Sequence, residues 1–148
     1  MTTSILVAYN DSLSSRAAVE FLCKLPLNRE EIQISLTHVF RKPTAGEELM
    51  GANFMAEQPV RLMNALQEAR QKLLSHGFKP ERIEIQMLKD PYPTVTDGII
   101  DIFHKGKYDM VVIGRKRMSK AEEFVLGDPS TKLVRALENT AVLVVKSK

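Results

Sequence analysis

The chain has one cysteine among its 148 residues. A lone Cys23 excludes an intramolecular disulfide and a thiolate metal cluster, and it suits a reducing compartment. A large excess of one sign of charge is also lacking: the formal balance is +3, with pI ≈ 9.0, too mild to argue by itself for a nucleic-acid partner. Aromatic residues make up 6% of the chain, and none is interleaved with the short basic run at 115–120, so a stacking surface for single strands is not expected either. No apolar run is long enough to span a bilayer. The opening Met1-Thr2-Thr3-Ser4-Ile5 lacks the basic and apolar regions of a signal peptide, so the expected location is the cytoplasm. Low-complexity tracts, linkers and internal repeats are missing as well. What remains is 44% apolar and 26% charged, an ordinary folding composition, and the length fits one domain over 1–148.

The apolar residues fall into short runs separated by amphipathic stretches. Ser4 to Tyr9 reads as a buried strand. Asn10-Asp11-Ser12 follows as turn and capping chemistry, and a helix runs from about Ser14 to Leu25, with Ala17, Ala18, Phe21, Leu22 and Leu25 on its apolar face and Pro26 ending it. A second strand covers Glu31 to Phe40. The stretch 42–55, with Pro43, Gly46 and Gly51, has no firm period and is expected to be a loop over one edge of the site. Val60, Met63, Leu66, Ala69, Leu73 and Leu74 recur at helical spacing from about Glu57 to His76, before Gly77. Arg82 to Lys89 alternates as a third strand, and Asp90-Pro91-Tyr92-Pro93 makes a rigid turn. Thr94 to Phe103 is a helix with Val95, Ile99, Ile100 and Phe103 inward. Met110 to Ile113 is a wholly apolar fourth strand that Gly114 should end. Pro129 to about Glu138 is the last helix, and Ala141 to Val145 the last strand.

Regular alternation of strands and helices implies an α/β fold: a five-stranded, mostly parallel sheet with helices on both faces, Rossmann-like. Ligands of such folds sit beyond the carboxyl ends of the strands, where the strand order reverses. The stretch 109–135 is the best candidate for that place. A buried strand meets Gly114; a basic loop with Arg115, Lys116, Arg117 and Lys120 follows; then Gly127 leads into Asp128-Pro129, an N-cap and a first-turn proline.

Several segments together resemble the universal stress protein (UspA-like) family. Ile5-Leu6-Val7-Ala8-Tyr9-Asn10-Asp11-Ser12 is similar to its first strand and turn, and Leu36-Thr37-His38-Val39 to its second-strand ending. Asp109-Met110-Val111-Val112-Ile113-Gly114 is similar to its Asp-Leu-Ile-Val-Met-Gly, and Ala141-Val142-Leu143-Val144-Val145-Lys146 to its closing strand. The resemblance covers nearly the whole chain. It implies an adenine-nucleotide α-hydrolase-like fold, a stress-response role and a homodimer paired through the last strand. No cofactor is required by the sequence alone; the resemblance implies ATP or AMP.

ATP-binding members carry Gly-x2-Gly-x9-Gly-Ser/Thr. Here Gly114 and Gly127 stand at the first and third glycines, Arg117 replaces the second, and Asp128 takes the Ser/Thr position. Pro129 follows where such members offer a backbone N–H, and Ser130 keeps a hydroxyl. Asn10 aligns with the family's adenosine-facing Asp, and Val39 with the position that meets adenine through its backbone. A carboxylate about 4 Å from a phosphate charge costs roughly 4 kcal/mol at a surface-like dielectric, so Asp128 opposes a polyphosphate. Arg115 and Arg117 would attract one. The expectation is a binding protein with weak or lost ATP binding; the alternative is an ATP- or AMP-dependent switch or a slow ATPase.

The bland readings stand beside these. Gly114 also serves as a simple turn glycine, and Arg115 to Lys120 as a solvated loop. Asp128 is better placed as a cap than as an acid. His38 reads as structural, Cys23 and Met63 as core, and Ser12 has no base at a readable spacing. His38, His76 and His104 show no metal-ligand spacing.

Overall fold

The computed structural model describes residues 1–40, 52–88, 91–116, 119–121 and 129–147, with side chains from 59 onward in the helix that begins at Ala52. The elements are β1 (Thr3–Ala8), α1 (Leu13–Lys24), β2 (Ile32–His38), α2 (Ala52–Ser75), β3 (Ile83–Met87), α3 (Val95–Lys105), β4 (Met110–Lys116), α4 (Pro129–Ala136) and β5 (Ala141–Ser147). The strands form one five-stranded sheet in the order β3-β2-β1-β4-β5. All four strand pairs are parallel. The chain starts in the middle, builds outward through β2 and β3, then crosses back to β4 and β5. The order therefore reverses between β1 and β4.

The apolar runs are explained by burial on both faces. Ile5 and Val7 of β1 and Val112 of β4 point into one core, shared with Leu22 of α1 and Leu66 and Leu73 of α2. Leu6, Val111 and Ile113 point the other way, into a core with Ile99, Ile102 and Phe103 of α3 and Leu133 of α4. Burial of these side chains, at about 25 cal/mol per Å² of apolar surface, is the main force holding the two helix layers to the sheet.

Local signals set the ends. Ser12 caps α1 by accepting from the Ser15 N–H at 3.2 Å. Leu25, the residue before Pro26, is extended, so α1 stops at Lys24. Thr94 caps α3 in the same way, accepting from the Asp97 N–H at 3.1 Å. Gly77, at φ +91°, takes the left-handed turn after α2. At the far end of the sheet from the site, Arg29 donates to the carbonyl oxygens of Cys23, Leu25 and Leu27 and lies over the Phe78 ring at 4.2 Å.

Four expectations need correction. β4 does not end at Gly114: it runs on to Lys116, with Gly114 opposite Val145 and Arg115 opposite Lys146. The second helix begins at Ala52 rather than near Glu57, with Pro59 inside it; the rest of the expected loop, 42–51, lies outside the described residues. Phe21, Val60, Met63 and Val95 are exposed: Val60 lies on the face of its helix away from the buried stripe, and the other three fall beside theirs. Ser15, Val19 and Cys23 take the inward places on α1 that Ala17 and Phe21 were expected to share. Cys23 is buried, and that burial raises its thiol pKa.

Candidate functional site

At the carboxyl ends of β1, β2 and β4 lies a cavity of about 210 Å³. It opens where the strand order reverses, the position the topology dictates for a ligand. Its walls are largely apolar: Val39 after β2, Ile99 of α3, Ile113 of β4 and Leu133 of α4. Asn10, Ser14, Ser15, Thr37, His38 and Thr96 supply the polar atoms.

The β1–α1 turn is held by one serine. Ser15 Oγ accepts from the Asn10 backbone N–H at 3.1 Å and donates to Asn10 Oδ1 at 2.8 Å. The carboxamide oxygen is thus committed, and the Nδ2 donors are the part of Asn10 left for other partners. Ser12 and Ser14 pair with each other at 3.1 Å. Next to the turn, Gly114 lets β4 approach α1. A Cβ at Gly114 would lie 2.0 Å from the Ser14 carbonyl oxygen and 2.8 Å from the Ser15 nitrogen. Contact with α1 is therefore a reason for glycine here that needs no ligand.

His38 is 9% exposed, and its Nδ1 lies 2.9 Å from the Tyr9 carbonyl oxygen. A carbonyl only accepts, so Nδ1 carries the proton and Nε2 is the acceptor of a neutral ring. Burial pushes the imidazole pKa below its usual range, opposed in part by that hydrogen bond. Phe40 meets the ring edge-on at 4.6 Å. Tyr9 is buried too, and burial raises its pKa, against the opposing pull of Arg16. Among the described residues, the serines of the mouth bond to one another and to Asn10 rather than to His38, so no nucleophile–base pair is assembled there. Nor do any three His, Cys, Asp or Glu side chains among them gather as a metal site.

Three of the sequence-derived candidates, Asn10, Val39 and Gly114, line the cavity together. Arg115 continues β4 beyond it, paired with Lys146. Ser130 lies in the first turn of α4, behind Pro129, which does line the cavity and has no N–H to offer. Arg117, Gly127 and Asp128 lie outside the described residues. Sequence reasoning missed Thr96. A signal existed: Thr96, Ile99 and Phe103 are spaced i, i+3, i+7, which puts a polar residue on the buried stripe of α3.

A doubly wound parallel sheet with a crevice at its reversal point defines a Rossmann-like α/β fold. The chain belongs to the universal stress protein family, whose pattern matches residues 1–146. Among solved structures, it is similar to a universal stress protein in complex with cAMP, at 16% identity and TM-score 0.70, covering 99% of this chain and 98% of that one. It is similar to the universal stress protein UspA from Lactobacillus plantarum, at 14% identity and TM-score 0.69, covering 97% of each chain. A universal stress protein from Archaeoglobus fulgidus matches at 16% identity and TM-score 0.68, covering 99% of this chain and all of that one. At such identities the likeness speaks for the fold. No curated protein matches the chain. Among the described residues, no helix is long and apolar enough to cross a membrane.

Proposed function

We propose that this protein serves the stress response by binding, not by turnover, and that its cavity takes a nucleoside-type ligand with only a weak grip on polyphosphate. The observation that carries this reading is the split character of the cavity. Asn10 and Val39, read as its nucleoside side, line the cavity, and Pro129, read as its phosphate side, lines it too. A proline cannot donate to a phosphate oxygen, and the preceding Asp128 adds like charge. The volume also favours a compact ligand, since about 210 Å³ is below the roughly 300–1,000 Å³ of ordinary small-molecule sites. A related fold crystallised with cAMP, a nucleotide with a single phosphate, supports the same preference. The alternative, an ATP- or AMP-driven switch or slow ATPase, draws its support from Arg115 and Arg117.

On the same reading, two chains pair along β5. β5 is an edge of the sheet, and Val142 to Val145 are only half-buried. An uncovered apolar edge invites pairing with a second copy. Native mass spectrometry of the purified protein tests both parts. A dimer carrying no ATP, with no phosphate released from added ATP, is the expected result. A monomer would remove the pairing, and steady ATP turnover would remove the claim of binding alone.

A further inference from the structure

The first turns of α2 stand beyond the mouth of the cavity. Arg61 Nε lies 3.9 Å from Asp11 Oδ2, in the turn that leaves β1 at its carboxyl end. Further along, Lys72 Nζ meets Glu20 Oε1 of α1 at 3.2 Å, and the His76 carbonyl oxygen accepts from Arg29 Nε at 3.3 Å, just ahead of β2. The helix therefore runs from the carboxyl ends of the strands to their amino ends. Arg61 is level with the mouth, and the helix residues before it, from Ala52 to Val60, carry it about 13 Å further at roughly 1.5 Å per residue.

Packing on the sheet begins only after Arg61. Leu62 is 4% exposed, and Ala65, Leu66, Ala69 and Leu73 continue its buried stripe, whereas Pro59, Val60 and Arg61 are exposed. Pro59 sits just before this boundary, inside the helix. A proline there has no N–H for the carbonyl four residues back and crowds that carbonyl, and helices bend at such places. The first two turns, Ala52–Gln58, are thus joined to the anchored part of α2 through a weak point.

Just past the proline an ion pair ties the helix to the mouth. Asp11 Oδ1 accepts from Arg16 Nη2 at 2.6 Å, and the other carboxylate oxygen faces Arg61. The Arg61 side chain is exposed, so that pair is weak and screened by salt. Asp11 follows Asn10, which lines the cavity, so the tie joins α2 to the turn that shapes the mouth. A bend point beside a weak tie is the construction of a hinge.

We propose that Ala52–Gln58 is a strap that swings about Pro59 and closes over the cavity mouth, with the Asp11–Arg61 pair steadying its base. Closure over a ligand rests on the reading of the cavity as a nucleoside site; the hinge itself does not. A strap of this kind would shield a bound ligand from water and slow its escape.

The test is the distance between spin labels at Ala52→Cys and Val134→Cys in a Cys23→Ala background, measured by pulsed electron resonance on labelled protein diluted into unlabelled protein. Ala52 is the tip of the strap, and Val134 is exposed on α4, whose Pro129 and Leu133 line the cavity. A swing of about 30° moves the tip of a strap roughly 10 Å long by about 5 Å. The ligand-free protein should show a spread of at least about 5 Å, and saturating AMP should leave only its shorter end. Pro59→Ala, which restores the helix bond, should give one narrow distance that AMP does not change. Arg61→Gln should widen the ligand-free spread. A distance distribution that AMP leaves unchanged, with AMP binding confirmed by calorimetry, would overturn the strap while leaving the nucleoside site standing. Failure to bind AMP would remove that site and closure over it. The hinge is then decided by the ligand-free proteins, and an identical spread in wild type and Pro59→Ala would overturn it.

Discussion

Gly114 of β4 and Ser14 of α1 meet backbone to backbone: a Cβ on the glycine would sit 2.0 Å from the Ser14 carbonyl oxygen. No side-chain rotation relieves such a clash, so strand and helix must separate. Gly114→Ala should therefore destabilise the fold by at least about 2 kcal/mol, read as a lower urea midpoint. Because both residues line the cavity, the variant should also lose whatever ligand the wild type binds. An unchanged midpoint would mean that α1 shifts freely, and the cavity's geometry would not depend on this contact.

Ser15 holds the turn at the mouth through its two hydrogen bonds with Asn10. Ser15 is 5% exposed, so the bonds lie in a largely dry setting. Ser15→Ala leaves the Asn10 N–H without that acceptor and should cost about 1–2 kcal/mol in denaturant unfolding. Ser15→Gly would mix this loss with helix propensity and is the poorer test.

His38 gives the stability a pH dependence of defined sign. Burial holds its folded pKa below the ordinary value of 6.5. The unfolded chain then takes up the proton more readily than the folded one. The stability carried by the neutral ring is complete above about pH 6.5 and is lost as pH falls toward the lower folded value. The Asp97 carboxylate, beside Lys132 and Thr94, and the Asp101 carboxylate, beside Tyr92 and Lys105, have lowered pKa values. Their contribution is lost only below about pH 4, so the two effects separate. Urea unfolding between pH 7.5 and about 5 should show stability falling, and His38→Asn, whose amide can still donate to Tyr9, should flatten that fall. An identical slope in His38→Asn would place the titrating group elsewhere.

Restoring the phosphate side should restore the nucleotide. Asp128→Ser combined with Pro129→Val removes the opposing carboxylate and returns a backbone N–H. The expected gain in ATP affinity, read by calorimetry, is at least about tenfold. No gain would show that the two residues are not what weakens the grip.

The inner strands were legible because their apolar runs are bounded by turn residues and buried on both faces, as Val111 to Ile113 is between α1 and α3. Helix caps were legible for the same local reason: Ser12 and Thr94 stand just before amphipathic stretches. What was not legible is what depends on distant residues. Gly114 reads as a stop, yet the strand passes through it, and its lack of a side chain answers to Ser14, far upstream. The expected start of α2 near Glu57 rested on the periodic residues from Val60 onward, yet the helix begins earlier, at Ala52, with Pro59 inside it. Thr96 lay in plain view on a buried stripe. Its meaning needed the cavity, because sequence periodicity places a residue inward without saying what it faces.

The central claim, a nucleoside-type cavity with a weakened hold on polyphosphate, is tested most directly by calorimetric titration of ATP with Mg²⁺ into the purified, nucleotide-free protein. The account predicts no micromolar site for ATP and tighter binding of AMP. Micromolar binding of ATP at one site per chain would contradict it.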